Sequence, residues 1–188
     1  EAIEVLKGMH PGELQEVCVL LGAYMLYTAG QCKSVEEGKE AIEDALHMGI
    51  GLQKLREMIA AQGGDEKVVD DPNLLPIAEK IIPVKSEEAG YILSTDTQAI
   101  GTSAMLLGAG RNTKEDVIDP SVGIVIKKRL GEKVEVGEVL AEFYINDDKR
   151  LEEAIDLFRK AIKIGKQKPD TKPLIYGVVT EDGIERGF

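Results

Sequence analysis

The stretch GEKVEVGEVLA, residues 131–141, decides how the second half of the chain folds. Gly131 and Gly137 stand six positions apart and flank alternating apolar residues, a pattern typical of a strand, a turn and a second strand. The apolar run continues through VLAEFYI at 139–145. The sequence therefore predicts β-structure at the centre of this half of the chain.

Outward from this stretch, short β-rich segments alternate with helical patterns. The further strands are predicted at 80–84, 90–93, 122–126 and 174–180, the last followed by a polar tail that we expect to fray. The helices are predicted at about 98–107 and 149–164, the second with apolar residues from Leu151 to Ile162 on one face. This mixture predicts an α+β subdomain.

The first part of the chain has helical periodicity instead. Residues 1–7 form a helical turn, and ELQEVCVLLGAYMLYTA at 13–29 is apolar on most of its circumference, which favours a helix buried on several sides. Ser34 and Glu37 fit a capping box for a helix that runs to about Met48. The buried stripe of that helix is predicted to be Ala41, Ile42, Ala45 and Leu46. Gly49 and Gly51 then interrupt the pattern, and a further apolar stripe follows at Leu52, Leu55, Met58 and Ile59.

A domain boundary is predicted where Pro72 and Pro76 fall within five residues, because prolines interrupt helices and central strands. We therefore expect a helical domain over 1–76 and an α+β subdomain over 77–188. The 188 residues are enough for one large or two small domains.

Composition excludes several classes of protein. The formal net charge of −11 repels nucleic-acid phosphates, so we expect no nucleic-acid partner. No apolar run reaches 18 residues, so we expect no membrane span. The only cysteines, Cys18 and Cys32, are too few for a disulfide scaffold and indicate a reducing compartment, the cytoplasm.

Side chains suited to catalysis are few. His10 and His47 have no second histidine or cysteine at ligand spacing, which favours structural roles for both. Cys18 lies in the apolar helical segment and is expected to be a small core residue. Cys32 lies in a polar loop without a neighbouring histidine or arginine, so the sequence does not make it an obvious nucleophile.

The sequence GAGR at 108–111 has two interpretations. Two glycines let backbone amides approach an anion and Arg111 could add a bidentate contact, which would suit an anion-binding regulatory domain. However, the motif follows a helix instead of beginning one. A helix-ending turn, with the arginine paired to Glu115 or Asp116, is therefore favoured.

The stretch 131–141 also resembles the turn before the modified lysine of lipoyl and biotinyl carrier domains. Lys149 follows Asp148 in the manner of that lysine, but it is predicted to begin a helix, and no Met-Lys-Met sequence occurs. A free-standing carrier module built on barrel-sandwich-like strands is therefore the alternative interpretation.

A resemblance that covers nearly the whole chain follows from seven stretches in order. They are AAQGGD at 60–65, VVDDP at 68–72, GYI at 90–92, IGTSAM at 100–105, LGAGR at 107–111, KEDVID at 114–119 and VGI at 122–124. Together with 131–141, they resemble the C-terminal half of the pyrimidine-nucleoside phosphorylases, the thymidine phosphorylase family. The resemblance implies that the helices come from a large α/β domain and that an α+β subdomain follows.

That family catalyses reversible phosphorolysis, in which phosphate attacks C1′ of a pyrimidine nucleoside to release the base and a (deoxy)ribose 1-phosphate. Its phosphate cradle follows a Lys-x-Ser-Thr-Gly-Gly stretch, which this sequence lacks. The resemblance therefore assigns no catalytic and no phosphate-binding residue to this chain, and we expect the chain to be inactive alone. It implies no organic cofactor and a homodimer, and leaves uridine and thymidine both open as substrates.

Glu1 is the one residue that the resemblance connects with a ligand. Glu1-Ala2-Ile3 matches the end of a Lys-Glu-Ala-Ile context in which family members bind a monovalent cation such as potassium. Because the chain begins inside a helical pattern, we expect it to be part of a longer protein. The apolar helix at 13–29 would then expose surface in the isolated chain and favour self-association.

Overall fold

The computed structural model describes residues 1–9, 12–170 and 172–185. The chain forms two compact units, the first comprising Glu1–Leu74 and Lys172–Phe188 and the second Leu75–Thr171. The division into domains 1–76 and 77–188 stays a prediction; in space, the segment from Lys172 groups with the helices.

Four helices make up most of the first unit: α1 (Ala2–Leu6), α2 (Glu13–Thr28), α3 (Val35–His47) and α4 (Ile50–Ala61). Short 3₁₀ turns follow at Glu66–Val69 and Pro72–Leu74. The predicted cap of α3 is confirmed, because Ser34 Oγ accepts a hydrogen bond from the Glu37 amide at 3.1 Å. Glu37 Oε2 in turn accepts a hydrogen bond from the Lys33 amide at 2.8 Å, and not from the Ser34 amide as in a standard capping box.

Helices α2 and α3 approach each other closely at Gly38. A Cβ at this position would lie 2.8 Å from the carbonyl oxygen of Ala23, so only glycine permits this backbone contact. Ala23, Val19 and Leu20 are the buried residues of α2. The helix therefore buries one side, and the prediction of burial on several sides is wrong for this chain.

Three further predictions about the first unit need correction. The stripe from Ala41 to Leu46 is half-buried or exposed, because Gly38 makes the buried contact of α3. Gly51 lies inside α4 and does not interrupt it. Cys18 is exposed, so it is not a core residue.

In the residues that the structure describes, the second unit has six strands and two α-helices. They are β1 (Lys80–Lys85), β2 (Gly90–Thr95), α5 (Thr97–Ala104), β3 (Gly123–Ile126), β4 (Lys133–Val134), β5 (Val139–Ile145), α6 (Leu151–Ala161) and β6 (Ile162–Gly165). Two antiparallel three-stranded sheets result, in the orders β1-β5-β3 and β4-β2-β6. The predicted α+β fold is confirmed.

The core of the second unit lies where the sheets meet α5 and α6. Phe143 on β5 and Phe158 on α6 are fully buried, and their rings meet edge to face with centroids 5.3 Å apart. Buried Ser103 on α5 donates from Oγ to the carbonyl oxygen of Ala154 on α6 at 2.6 Å. Apolar burial thus packs the helices on the sheets, and the buried hydrogen bond joins α5 to α6.

The predicted strand, turn and second strand at 131–141 are confirmed: β4 and β5 form on either side of a turn at 136–137, and they belong to different sheets. One helix prediction in this unit is wrong in detail. The helix predicted to continue to 164 ends at Ala161, and Ile162–Gly165 pairs with β2. At Ile162 the backbone has already turned to φ −108°, ψ 122°, the extended conformation of a strand.

The C-terminal segment forms a two-stranded hairpin, β7 (Val178–Thr180) and β8 (Gly183–Glu185), in the first unit. The predicted strand therefore begins at Val178 and not at 174, and Gly183–Glu185 pairs instead of fraying. The end of the tail lies outside the described residues. In the part of the chain that the structure describes, no helix is both long and apolar enough to cross a membrane.

Candidate functional site

The loop that follows α5 contains the GAGR motif at 108–111, which makes it the main candidate site in the sequence. Helix α5 continues into a widened turn, Met105–Ala109, in which Gly108 has φ +104°. The Gly108 carbonyl oxygen accepts a hydrogen bond from the Asp119 amide at 3.0 Å. The glycine therefore ends the helix and closes the loop 109–118, as the helix-ending interpretation predicted.

A hydrogen-bonded cluster around Asn146 fixes the far end of that loop. Asn146 Nδ2 donates to Asp119 Oδ2 at 2.6 Å and to Ser121 Oγ at 2.8 Å, and Asn146 Oδ1 accepts from the Glu79 amide at 2.7 Å. Asp119 Oδ1 also accepts from the Ser121 amide and hydroxyl, at 2.9 and 2.6 Å. The cluster thus joins three separate segments at the end of β5.

These contacts determine the ionisation of Asp119. Hydrogen bonds from Ser121 lower its pKa most, and the Asn146 amide lowers it further against a smaller effect of burial. Asp119 is therefore held as a carboxylate that accepts hydrogen bonds, which is the opposite of what a general acid needs.

Asp116 closes the middle of the loop. It accepts hydrogen bonds from the Asn112 amide at 2.8 Å and from the Thr113 amide and hydroxyl, each at 2.9 Å. These bonds lower its pKa, and the charge of Arg150 adds to the effect. Arg111 is exposed and has no ion pair with Glu115 or Asp116 in the part of the chain described, so that predicted pairing is wrong.

A depression of about 330 Å³ adjoins this loop and has both cationic and anionic side chains at its edge. Lys149 Nζ lies 2.7 Å from Asp147 Oδ2, and Arg150 Nε lies 3.0 Å from Glu153 Oε2. Each carboxylate raises the pKa of its cationic partner. Both cations at the edge of the depression thus lie in exposed ion pairs with carboxylates.

Lys149 does not occupy the position of a carrier lysine. It lies in the turn before α6, which begins at Leu151 and not at Lys149 as predicted. Its ammonium group is paired with Asp147 rather than presented at the tip of a hairpin.

The other residues considered from the sequence are dispersed. Glu1 is exposed at the start of α1, and His47 ends α3 as predicted. Cys32 is half-buried in the loop before α3, and His10 lies outside the described residues. Among residues 1–9, 12–170 and 172–185, no group of three histidine, cysteine, aspartate or glutamate side chains could hold a metal ion.

Sequence reasoning missed the cluster of Asp119, Ser121 and Asn146. A signal for it exists, because Asp-Pro-Ser at 119–121 is typical of a turn in which the aspartate accepts hydrogen bonds two residues ahead. Asn146 follows a buried strand, but its partners lie 25 and 27 residues away and cannot be read from local pattern.

The fold and this loop define an α+β domain in which hydrogen bonds join helix to helix and the loop to the end of β5. Residues 91–165 match the family described as the pyrimidine nucleoside phosphorylase C-terminal domain. This match agrees with the resemblance drawn from the sequence.

Curated relatives extend the similarity to almost the whole chain. The chain is 41% identical over 180 residues to a pyrimidine-nucleoside phosphorylase of Geobacillus stearothermophilus and 40% identical over 181 residues to one of Bacillus subtilis. A third, from Staphylococcus epidermidis, is 39% identical over 181 residues. Each alignment covers 96% of this chain but 41% of the relative, so the chain spans less than half of their length. The carrier alternative has no support.

Proposed function

We propose that the protein to which this chain belongs is a pyrimidine-nucleoside phosphorylase, with phosphate and a pyrimidine nucleoside as substrates. The observation that carries the proposal is the 41% identity across 96% of the chain to a phosphorylase of that name. The reaction breaks the bond between C1′ and the base nitrogen and forms a bond from C1′ to a phosphate oxygen. The base departs with the electron pair of the broken bond.

The described residues are suited to support this reaction rather than to perform it. Phosphorolysis needs donors for phosphate and groups that stabilise negative charge on the departing base. Around the candidate loop, Lys149 and Arg150 are held by carboxylates, and Asp119 and Asp116 accept hydrogen bonds within the loop. We therefore expect the isolated 188-residue chain to cleave no uridine or thymidine.

A chimaera tests the proposal. This chain replaces the matching 41% of the Geobacillus stearothermophilus phosphorylase, and the purified product is incubated with phosphate and uridine or thymidine. Release of uracil or thymine, together with a pentose 1-phosphate, is expected from the chimaera and not from the chain alone. An inactive chimaera that folds as the parent enzyme does would contradict the proposal. Turnover by the isolated chain would instead contradict the expectation that the chain is inactive alone.

Further properties implied by the resemblance enter the same proposal for the full-length protein. They are a homodimer located in the cytoplasm, without a nucleic-acid or membrane partner and without an organic cofactor. Size-exclusion chromatography with light scattering of the chimaera tests the dimer. A monomer that retains phosphorolysis would remove this part of the proposal.

The monovalent cation is tested separately, because the described carboxylates do not form a cation site on their own. We propose that the Glu1 carboxylate supplies one oxygen ligand to the cation. The remaining ligands would come from outside this chain, because alkali and alkaline-earth cations need several oxygen donors together. Activity of the chimaera should rise with potassium, and the Glu1→Gln chimaera should lose that rise. A Glu4→Gln chimaera, altered one helical turn further on, is the control.

A further inference from the structure

A cavity of about 520 Å³ lies between α2 and α3 in the first unit. One face of α2, one face of α3 and a residue of the C-terminal segment, Ile175, line it. Small-molecule sites in proteins usually have volumes of about 300–1,000 Å³, so this cavity is large enough to hold a ligand and ordered water.

Part of the cavity wall is apolar. Val19 and Leu20 on α2 are only 7% and 9% exposed, and Ile175 is half-buried. All three side chains are aliphatic and have no hydrogen-bonding group. This part of the wall therefore suits the hydrocarbon part of a ligand.

Gln15 adds a polar atom that has no partner. Its Oε1 is buried and accepts no hydrogen bond from any residue that the structure describes. A buried acceptor without a donor is costly and rare in folded proteins. What this atom lacks is an N–H or O–H group, which a ligand in the cavity can supply.

Three charged side chains also line the cavity: Glu16, Lys39 and Glu43. In the part of the chain that the structure describes, none of the three forms an ion pair, whereas Lys149 and Arg150 at the depression described above are both paired. Their charges are thus available to a ligand. The two carboxylates can accept hydrogen bonds from an ammonium group, and the lysine can donate to a carboxylate.

We propose that this cavity binds an aliphatic α-amino acid in its zwitterionic form. The ammonium group of the ligand donates to Gln15 Oε1 and to the carboxylates of Glu16 and Glu43. The carboxylate of the ligand accepts from Lys39 Nζ, and its side chain contacts the apolar part of the wall.

Ligands with a single charge fit the cavity less well. An amine leaves the ammonium group of Lys39 unpaired, and a carboxylic acid leaves Gln15 Oε1 and two carboxylates without donors. The first unit also holds 17 acidic and 8 basic residues, a formal net charge of −9, which disfavours a simple anion. The inference concerns a site apart from phosphorolysis and does not rest on the proposed function.

L-Leucine and two analogues test the class of ligand. 3-Methylbutylamine lacks the carboxylate of leucine, and 4-methylpentanoate lacks its ammonium group. Calorimetric titration of the 188-residue chain and of the chimaera should show leucine binding at least about tenfold more tightly than either analogue, because each analogue loses charge-assisted hydrogen bonds. Equal affinity for leucine and 3-methylbutylamine would overturn the assignment to amino acids.

Nitrogen-15 NMR of the chain locates the bound leucine. The amide signals of Glu16, Lys39 and Ile175 should move during the titration, and those of the loop 109–118 should not. Leucine that moves none of the cavity amides overturns the site. Binding to the isolated chain that is absent from the chimaera overturns it for the full-length protein.

Gln15→Leu distinguishes a binding role for Gln15 from a role in the fold. The change removes the unpaired oxygen at similar side-chain size, so leucine affinity should fall about tenfold while the melting temperature stays the same or rises. Gln53→Leu, at an exposed position on α4, is the control and should leave leucine affinity unchanged. A lower melting temperature with unchanged leucine affinity would assign Gln15 to the fold instead.

Lys39→Gln tests the contact with the ligand carboxylate. Leucine affinity should fall at least about fivefold, whereas affinity for 3-methylbutylamine should stay the same or rise, because a like charge is removed. The control is Lys33→Gln, at an exposed lysine that does not line the cavity. If Lys39→Gln weakened both ligands equally, the lysine would act through the fold and the carboxylate contact would be wrong.

Discussion

The rings of Phe143 and Phe158 meet at an interplanar angle of 88° with their centroids 5.3 Å apart, and both side chains are fully buried. Phe143 lies on the central strand of its sheet, and Phe158 lies on α6. This pair therefore holds α6 to the sheet, and through α6 it also supports α5.

Phe158→Ala should destabilise the second unit by about 3–5 kcal/mol, because it removes a buried ring, leaves a cavity and ends the edge-to-face contact. Urea unfolding followed by circular dichroism measures the change. The control is Val117→Ala at a position 88% exposed, which should stay within about 0.5 kcal/mol of the parent chain. A loss of under about 1 kcal/mol for Phe158→Ala would show that the cavity collapses.

The sequence predicted the sheets of this unit well where local pattern and packing agree. The sequence predicts β5 at 139–145, and the strand forms there. Its mostly apolar residues suit a buried central strand, and Gly137 lies just before it. β6 was missed for the opposite reason. Ile162 continues the apolar face of α6, so its pattern fits a helix, and only pairing with β2 selects the strand.

The candidate site was predictable in part. GAGR at 108–111 drew attention to the right loop, since a glycine after a helix indicates a left-handed turn. The partners of its side chains were not predictable. Asp116 uses amides within its own turn instead of Arg111, and Asp119 is reached by Asn146 from a distant strand end. Such choices depend on tertiary geometry that local spacing does not contain.

Gly108→Ala should destabilise the chain by about 1–2 kcal/mol, because an alanine at φ +104° brings Cβ close to its own backbone. The nearest side-chain atom to an added Cβ is Val122 Cγ2 at 3.6 Å, an ordinary contact, so the cost comes from the backbone and not from a clash.

Gly101→Ala is the matched control for that substitution. Gly101 lies inside α5, and nothing lies within 4 Å of an added Cβ. The same chemical change there should stabilise the chain by about 0.5–1 kcal/mol, since alanine favours helix over glycine. Thermal unfolding of both variants measures these two changes in stability. Equal effects of the two substitutions would mean that the turn at Gly108 relaxes.

Ser103→Ala should cost about 0.5–1.5 kcal/mol, because it removes the 2.6 Å hydrogen bond from Ser103 Oγ to the Ala154 carbonyl while keeping Cβ in place. Ser94→Ala, at an exposed position on β2, is the control and should be near neutral. Hydrogen exchange of the α6 amides localises the effect. Unchanged protection around Ala154 would contradict a role for Ser103 in joining the two helices.

Ser121→Ala should raise the pKa of Asp119 toward the ordinary value, because the Ser121 hydroxyl makes the largest contribution to lowering it. A carboxyl group whose pKa is lower in the folded state contributes stability above its unfolded pKa, near 4, and that contribution is lost as pH falls through the folded pKa. The parent chain should thus lose this contribution to stability below about pH 4, and the Ser121→Ala variant should lose a smaller contribution.

Carbon-13 titration of the aspartate carboxyl groups measures the shift in the Asp119 pKa directly. Asp147, whose pKa is lowered by Lys149, should be unchanged and serves as the internal control. If the Asp119 pKa stayed low in Ser121→Ala, the Ser121 amide and Asn146 would be sufficient to hold the carboxylate and the loop with it.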